Sequence, residues 1–433
     1  MRRAVVAGLL GVCLMTVLDG SPAPAGSEDK LMRLLIKKGL ISEQEYEAIK
    51  KEAEATPGEA QPGPQEVADA LRDEVRRELQ RRDEESIAFT LKVEGEGRWR
   101  AHRDVGARRS GSTSDLFLRR ASVGLDARPL DFLTARLVLT SEWFGAQTTD
   151  QGQPVDEKVT IDEGTITLGA EGFPVYGVFG FRTQPFGAFF PRLVTDPMTQ
   201  DAYEVKEVGA TLGWKSKPWD LDLSATVYRG EEQMAHLFAS GLFDSTSVSR
   251  STDAGLRAET EEIRSFIVAA SLSPLKDLTM GAAFVSEPGD DRRNQTLALW
   301  ARYTLGRVIA EAEFAAALTR ERYVLEPSGA RLGRAFEERI VSLGLTYTLA
   351  KPLAIAARFE HLWDDGLAHA ADIWSAENRV SVGAGYTLYE RDETSARFLV
   401  EYRFTGYRRG GVAQALATPE QNEAFAKLQV SYR

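Results

Sequence analysis

From Ala88 to the last residue the chain keeps a beat. Runs of about ten residues alternate apolar and polar side chains, and the connections between them are by turns long and tight. In the first run Phe89, Leu91, Val93, Gly95, Gly97 and Trp99 share one parity, while Thr90, Lys92, Glu94, Glu96, Arg98 and Arg100 share the other. A strand sends successive side chains to opposite faces, so each run has one greasy and one charged face. A soluble sandwich would bury the greasy face against a second sheet. A sheet closed within a membrane turns it to lipid and keeps the charged face on water.

The runs fall at 88–101, 115–127, 131–144, 157–170, 173–183, 206–216, 219–230, 262–274, 277–286, 294–305, 307–318, 335–349, 351–363, 377–390, 394–406 and 422–433, sixteen in all. The odd connections are long (102–114, 145–156, 184–205, 231–261, 287–293, 319–334, 364–376, 407–421). The even ones are tight: Pro129-Leu130, Glu171-Gly172, Lys217-Pro218, Pro274-Leu275, Gly306, Ala350 and Arg391-Asp392-Glu393. An even strand count with short periplasmic turns and long outer loops describes an outer-membrane barrel, and it puts both chain ends in the periplasm. The expected fold is therefore an all-β transmembrane, 16-stranded antiparallel barrel with a short α-helical periplasmic segment ahead of it.

Aromatic residues collect toward the run ends: Trp99, Trp143, Trp214, Tyr303, Tyr347, Phe359, Tyr386, Phe404 and Tyr432. That is the place of an interfacial girdle.

The amino-terminal residues read differently. Arg2 and Arg3 precede an apolar run from Ala4 to Leu18, and Ala23-Pro24-Ala25 fits a cleavage site, so 1–25 is expected to be a signal peptide. Cys13 is the one cysteine, and the processed chain would have none, which excludes a disulfide framework and a thiolate metal site. Residues 26–55 read as a helical hairpin: Leu31, Leu34, Leu35 and Ile36 form a stripe, Gly39 stops it, and Ser42 to Glu45 is a capping box. A Pro/Gly linker covers 56–64. Residues 65–87 then carry Val67, Leu71, Val75 and Leu79 at helical spacing, fitting either a coiled coil that joins a homotrimer or a solvated single helix.

No run after the leader reaches eighteen apolar residues, and the mean hydropathy of −0.27 is unremarkable, because every second barrel residue is polar. The net charge is −11, or −12 once residues 1–25 with Arg2, Arg3 and Asp19 are removed, which argues against nucleic acid as a partner. The expected partners are outer-membrane lipid and small-molecule solutes.

A sixteen-stranded bore is too wide for side chains to fill, so an aqueous channel is expected, tuned by the charges that line it. By parity the lumen receives Lys92, Arg98, Arg100, Arg120, Arg136, Arg182, Arg302, Arg307, Arg358, Arg379, Arg397 and Arg403. It also receives Glu94, Glu96, Asp126, Glu142, Glu311, Glu313, Glu360 and Glu401. The basic excess favours a weak anion preference; pairing of these charges across strands is the competing reading.

The third long connection, 184–205, is the candidate constriction. Phe186, Phe189, Phe190, Leu193, Val194 and Met198 are too apolar for a loop in water, so it should fold into the barrel or onto its rim. Asp196 before Pro197 reads as an N-cap with proline at N1, so a short helix is expected there, with free N–H groups forming a modest anion site. Arg182 and Arg192 bracket the loop.

Ile161-Asp162-Glu163 with Thr167-Leu168, then Pro185-Phe186-Gly187-Ala188-Phe189, then Thr195-Asp196-Pro197-Met198-Thr199, resemble the siderophore porins typified by the legiobactin receptor. The match is sharp over about 157–215. More loosely, the layout is similar to the phosphate-selective porins O and P, including the leader helix. The resemblance implies an outer-membrane channel working without an energy-coupling plug, with ferric siderophores or anions as cargo.

No enzyme is expected. Of the four histidines, His361 lies on the outward parity and His102, His236 and His369 in connections. His361 and His369 flank Asp364 and Asp365 at no defensible metal spacing, and no Ser-His-Asp set or phosphate loop is legible, so no metal, cofactor or catalytic residue is assigned. A surface adhesin or a structural outer-membrane barrel without transport is the alternative, resting on the 231–261 connection, whose Ser240–Thr252 stretch reads as polar and flexible.

Overall fold

In the computed structural model, residues 87–103, 111–146, 158–170, 172–250, 262–326, 328–391, 393–410 and 420–432 are described. The signal, hairpin, linker and charged-helix expectations for 1–86 fall outside them, Ile87 apart.

The strands are β1 (Ile87–Arg103), β2 (Gly111–Leu130), β3 (Leu133–Phe144), β4 (Val159–Leu168), β5 (Val175–Thr183), β6 (Lys206–Ser216), β7 (Leu221–Tyr228), β8 (Val248–Ser249), β9 (Ser265–Leu275), β10 (Leu278–Glu287), β11 (Asn294–Leu305), β12 (Val308–Thr319), β13 (Val324–Leu325), β14 (Ala330–Arg331), β15 (Arg339–Ala350), β16 (Leu353–Trp363), β17 (Trp374–Arg391), β18 (Thr394–Arg409) and β19 (Glu420–Tyr432). All but β8, β13 and β14 form one closed barrel, each strand antiparallel to its neighbours. β1 closes it against β19, with Leu91 opposite Tyr432 and Gly97 opposite Ala426. The sixteen barrel strands answer one to one to the sixteen runs. Closure leaves no unpaired edge, which a membrane would penalise. Ile87 and Tyr432 lie at the tight-turn end.

The two faces follow the parity. On β1, Phe89 is 62% exposed while Arg98 on the opposite face is 6% exposed. Leu137, Leu139, Leu299, Tyr303, Phe398, Val400 and Tyr402 also face outward and are exposed. Only lipid makes such a surface favourable. Trp99, Trp214, Tyr303, Tyr347, Phe359, Tyr386 and Tyr432 join this outer surface.

Trp143 does not. Its backbone sits at φ +60, which breaks the alternation and turns the ring onto Phe117 (centroids 5.5 Å apart) and under the Arg119 guanidinium (3.5 Å). A second break lies opposite it in β2. The ladder steps from Glu94↔Arg120 to Gly95↔Leu118, so Arg119 is an extra residue and both arginines face inward.

Protein fills part of the bore. Three loop helices, α1 (Met198–Tyr203), α2 (Glu232–Ala239) and α3 (Leu367–Ala371), and the small sheet β14-β13-β8 fold inward. They build an apolar core with Phe186, Met198, Tyr203, Met234, Leu242 and Phe243 against wall residues such as Ile267, Ala283, Val285, Ala298 and Ile340. None of that core comes from β1–β6. Over its described part, 231–250, the 231–261 connection packs inward: Leu242, Phe243 and Val248 are buried.

Candidate functional site: the clamped constriction loop

Residues 184–205 leave β5 and return to β6 as a closed loop. The Gln184 N–H donates to Val205 O at 2.8 Å, and the Gln184 side chain donates to Glu207 O at 2.6 Å. Between these ends the loop dips into the bore. Gly187 (φ +80) allows the turn; a Cβ there would lie 2.6 Å from the Phe189 ring. Phe189, itself at φ +46, packs on the core, and Phe186 is buried with its ring edge-on to Tyr203.

A loop with little regular structure must find partners for its backbone polar groups when it is buried. Here the wall supplies them, with both signs of charge. Glu401 accepts from Thr195 N–H (2.8 Å) and Thr195 Oγ1 (2.7 Å). Glu313 accepts from Phe190 N–H (3.3 Å) and the Thr199 hydroxyl. Arg358 donates to Thr195 O (3.1 Å) and Asp196 O (2.9 Å), while Arg192 on the loop pairs with Glu311 (2.8 Å). Tyr203 donates to Glu338 at 3.0 Å, a carboxylate that also holds the fully buried Arg320. Asp201 pairs with Arg379 at 2.7 Å. Burial pushes the Asp201 carboxyl up to about 6; nearby Asp196 pushes the same way, against Arg379 and Arg403.

The helix expected near Asp196 exists as α1, but Pro197 is its N-cap, with no side-chain cap. The Asp196 carboxylate instead turns to the wall, 3.9 Å from Arg119. The free N–H groups expected at the helix start are also absent as a site, because Met198 N–H donates to Glu360 at 2.5 Å. The protein's own carboxylate already occupies the positive end of that short helix.

The other sequence-assigned residues are distributed along the wall. Arg98 lies 3.6 Å from Asp115 and over the Phe117 ring. Arg100 and Arg403 share Glu423, each at 2.7 Å. Arg136 bridges Glu163 (2.9 Å) and Asp126 (3.3 Å), and Arg302 approaches Glu311 at 3.7 Å. Arg182 donates to Thr211 Oγ1 at 2.9 Å. Pairing thus consumes most of the expected basic excess, with help from acids outside that parity list: Glu423, Glu163, Asp201 and Asp115. Residues the sequence reading passed over include Arg119, Asp201, Glu338 and Lys427. The Arg119 bulge had a signal, since the apolar parity of β2 switches from Leu116 and Leu118 to Ala121, Val123 and Leu125.

The strip of lumen wall that keeps partial exposure runs through Arg120, Arg136, Glu142, Glu163 and Lys206 on β2, β3, β4 and β6, with Asp196 of the loop also part-exposed. The Arg120–Glu142 hydrogen bond is 2.7 Å, and Lys206 pairs with Asp162. Charged, part-hydrated side chains on one side and a clamped loop on the other can pass and sort small polar solutes. Among the described residues there is no cluster of three or more His, Cys, Asp or Glu able to hold a metal. Asp364 spends its carboxylate on Gly366 N–H, Ala368 N–H, Ser375 and Arg408.

No family model matches the chain, and no curated protein matches it. Solved structures do. The outer-membrane channel DcaP of Acinetobacter baumannii superposes with a TM-score of 0.55 at 12% identity, over 80% of this chain and 97% of that one. OprB of Pseudomonas putida gives 0.54 at 11%, over 82% and 96%. An anion-selective porin from Comamonas acidovorans gives 0.50 at 11%, over 80% and 99%. At these identities the likeness is one of fold.

Proposed function

We propose that this chain is an outer-membrane porin: a channel for small hydrophilic solutes, with both termini periplasmic and its bore narrowed by residues 184–205. The observation that carries the reading is the clamp itself. A loop fixed across the lumen by Glu401, Glu313, Arg358 and Arg379 is a constriction held in place. The folds it resembles belong to channels, and one of them is an anion-selective porin. Diffusion past a charged strip, without chemistry, is what such a bore does best.

A weak anion preference is part of this reading. It rests on Arg182, which has no carboxylate within 4.0 Å among the described residues, and not on a broad basic excess. The resemblance at 157–215 makes ferric siderophores or phosphate the cargo classes to try first. Trimer assembly through 65–87 is a further element of the proposal. The adhesin alternative loses ground because the described part of 231–261 packs inward.

The test is a planar bilayer with purified full-length protein under a salt gradient. Discrete conductance steps with a reversal potential of anion sign are expected. An absence of steps would favour a structural barrel, and cation sign would overturn the anion preference.

A further inference from the structure

Arg182 differs from five other inward-facing arginines of β1–β6. Arg98, Arg100, Arg119, Arg120 and Arg136 each have a carboxylate within 4.0 Å. Arg182 has none among the described residues; its one hydrogen bond goes to Thr211 Oγ1 (2.9 Å). Two acids that could serve are committed elsewhere. Glu207, opposite Arg182 in the β5–β6 ladder, lies 3.4 Å from Arg229, and Glu163 on β4 pairs with Arg136. The Tyr176 phenol, on the same inner face of β5, donates to Asp222 at 2.8 Å.

A guanidinium has five N–H donors in a planar fork that matches an oxyanion. Here one bond is made, and it fixes the fork: Thr211 is buried and itself hydrogen-bonded to Thr226 (2.8 Å). The side chain is therefore oriented without a direct ion pair among the described residues, and it is only half-buried in the lumen wall. Gly180, one inward position earlier, sits at φ +138, and any Cβ there would lie 2.0 Å from Gly164 O. An oriented fork with donors to spare and no carboxylate at ion-pair distance, at the edge of a narrowed bore, is a binding geometry for a small oxyanion.

We propose that Arg182, aligned by Thr211, is the subsite at which a permeating oxyanion, a carboxylate or phosphate group, pauses on its way past the constriction loop. The proposal rests on the channel reading above and specifies its cargo chemistry.

Two measurements separate the subsite from the channel. In bilayers, millimolar inorganic phosphate should depress the chloride current of the wild type. Arg182→Gln should weaken that effect by about tenfold or more, the loss of a charge-assisted contact. Arg182→Lys should retain part of it, and Lys276→Gln, at a tight turn, should match wild type. Independently of conduction, detergent-solubilised protein should broaden the phosphorus resonance of inorganic phosphate or the methyl resonance of acetate, and Arg182→Gln should abolish the broadening. Broadening of either probe supports the subsite and identifies its oxyanion, even if no channel steps are seen. Conductance steps together with broadening of neither probe, or broadening that persists in Arg182→Gln, would overturn it.

Discussion

Thr195 and Glu401 are 206 residues apart in sequence and meet through two hydrogen bonds, backbone N–H to Oε2 at 2.8 Å and hydroxyl to Oε1 at 2.7 Å. Both residues are buried. The contact joins the tip of the constriction loop to the far wall, on β18. Hydrogen bonds to a charged group are worth about 1.5–3 kcal/mol each, and a buried donor left without an acceptor costs a similar amount. Glu401→Leu should therefore loosen the loop without opening the barrel. The expected outcome is noisier, larger conductance steps, with faster tryptic cleavage at Arg192 while the barrel keeps its heat-resistant migration. Unchanged cleavage and conductance would show that the remaining clamps suffice.

Much of this architecture was legible because a barrel wall has two solvents. The parity of β1 separates Phe89 and Leu91 from Glu94 and Arg98 without ambiguity. The constriction loop was legible for a related reason: Phe186, Phe189 and Met198 had to be buried somewhere. Where the alternation breaks, the reading weakened. The backbone flip at Trp143 leaves no trace in the local sequence. The dry half of the bore did leave one. Ile267, Ala269, Ala283, Val285, Ala298 and Ala315 are apolar on the parity that should face water, and the inserted loops cover them. The clamps themselves were out of reach, because Thr195–Glu401 or Tyr203–Glu338 contacts depend on where a loop lands after the barrel has closed.

Two inward or turn glycines should respond oppositely to substitution. Gly180 has φ +138, and an added Cβ would overlap the β4 backbone. Left-handed or mirror-image backbone costs a side chain about 1–2 kcal/mol before any clash is counted. Gly180→Ala should therefore lower the temperature at which the folded band disappears in SDS electrophoresis, or prevent assembly altogether. Gly306 has φ +59 in a tight turn with nothing near its Cβ, so Gly306→Asn should assemble and unfold much like wild type. Equal effects at the two sites would count against the β4–β5 register.

The Asp201–Arg379 pair should make selectivity depend on pH. With the Asp201 carboxyl held up to about 6, the group is ionised above that pH and neutral below it. When it is neutral, Arg379 loses its counter-charge at 2.7 Å and the lumen gains one net positive charge. Anion preference should thus rise as pH falls through 6. The stability sign follows from proton binding. The folded carboxyl takes up its proton at higher pH than an unfolded aspartate, near 3.9, so the folded state binds more protons between about 4 and 6. Stability should then fall as pH rises across that window and level off above it. Asp201→Asn should fix the lumen in its low-pH charge state, giving a reversal potential that no longer moves between pH 5 and 7. A wild-type reversal potential flat over the same interval would place the titration elsewhere, and a step that survives in Asp201→Asn would assign it to another carboxylate of the clamp.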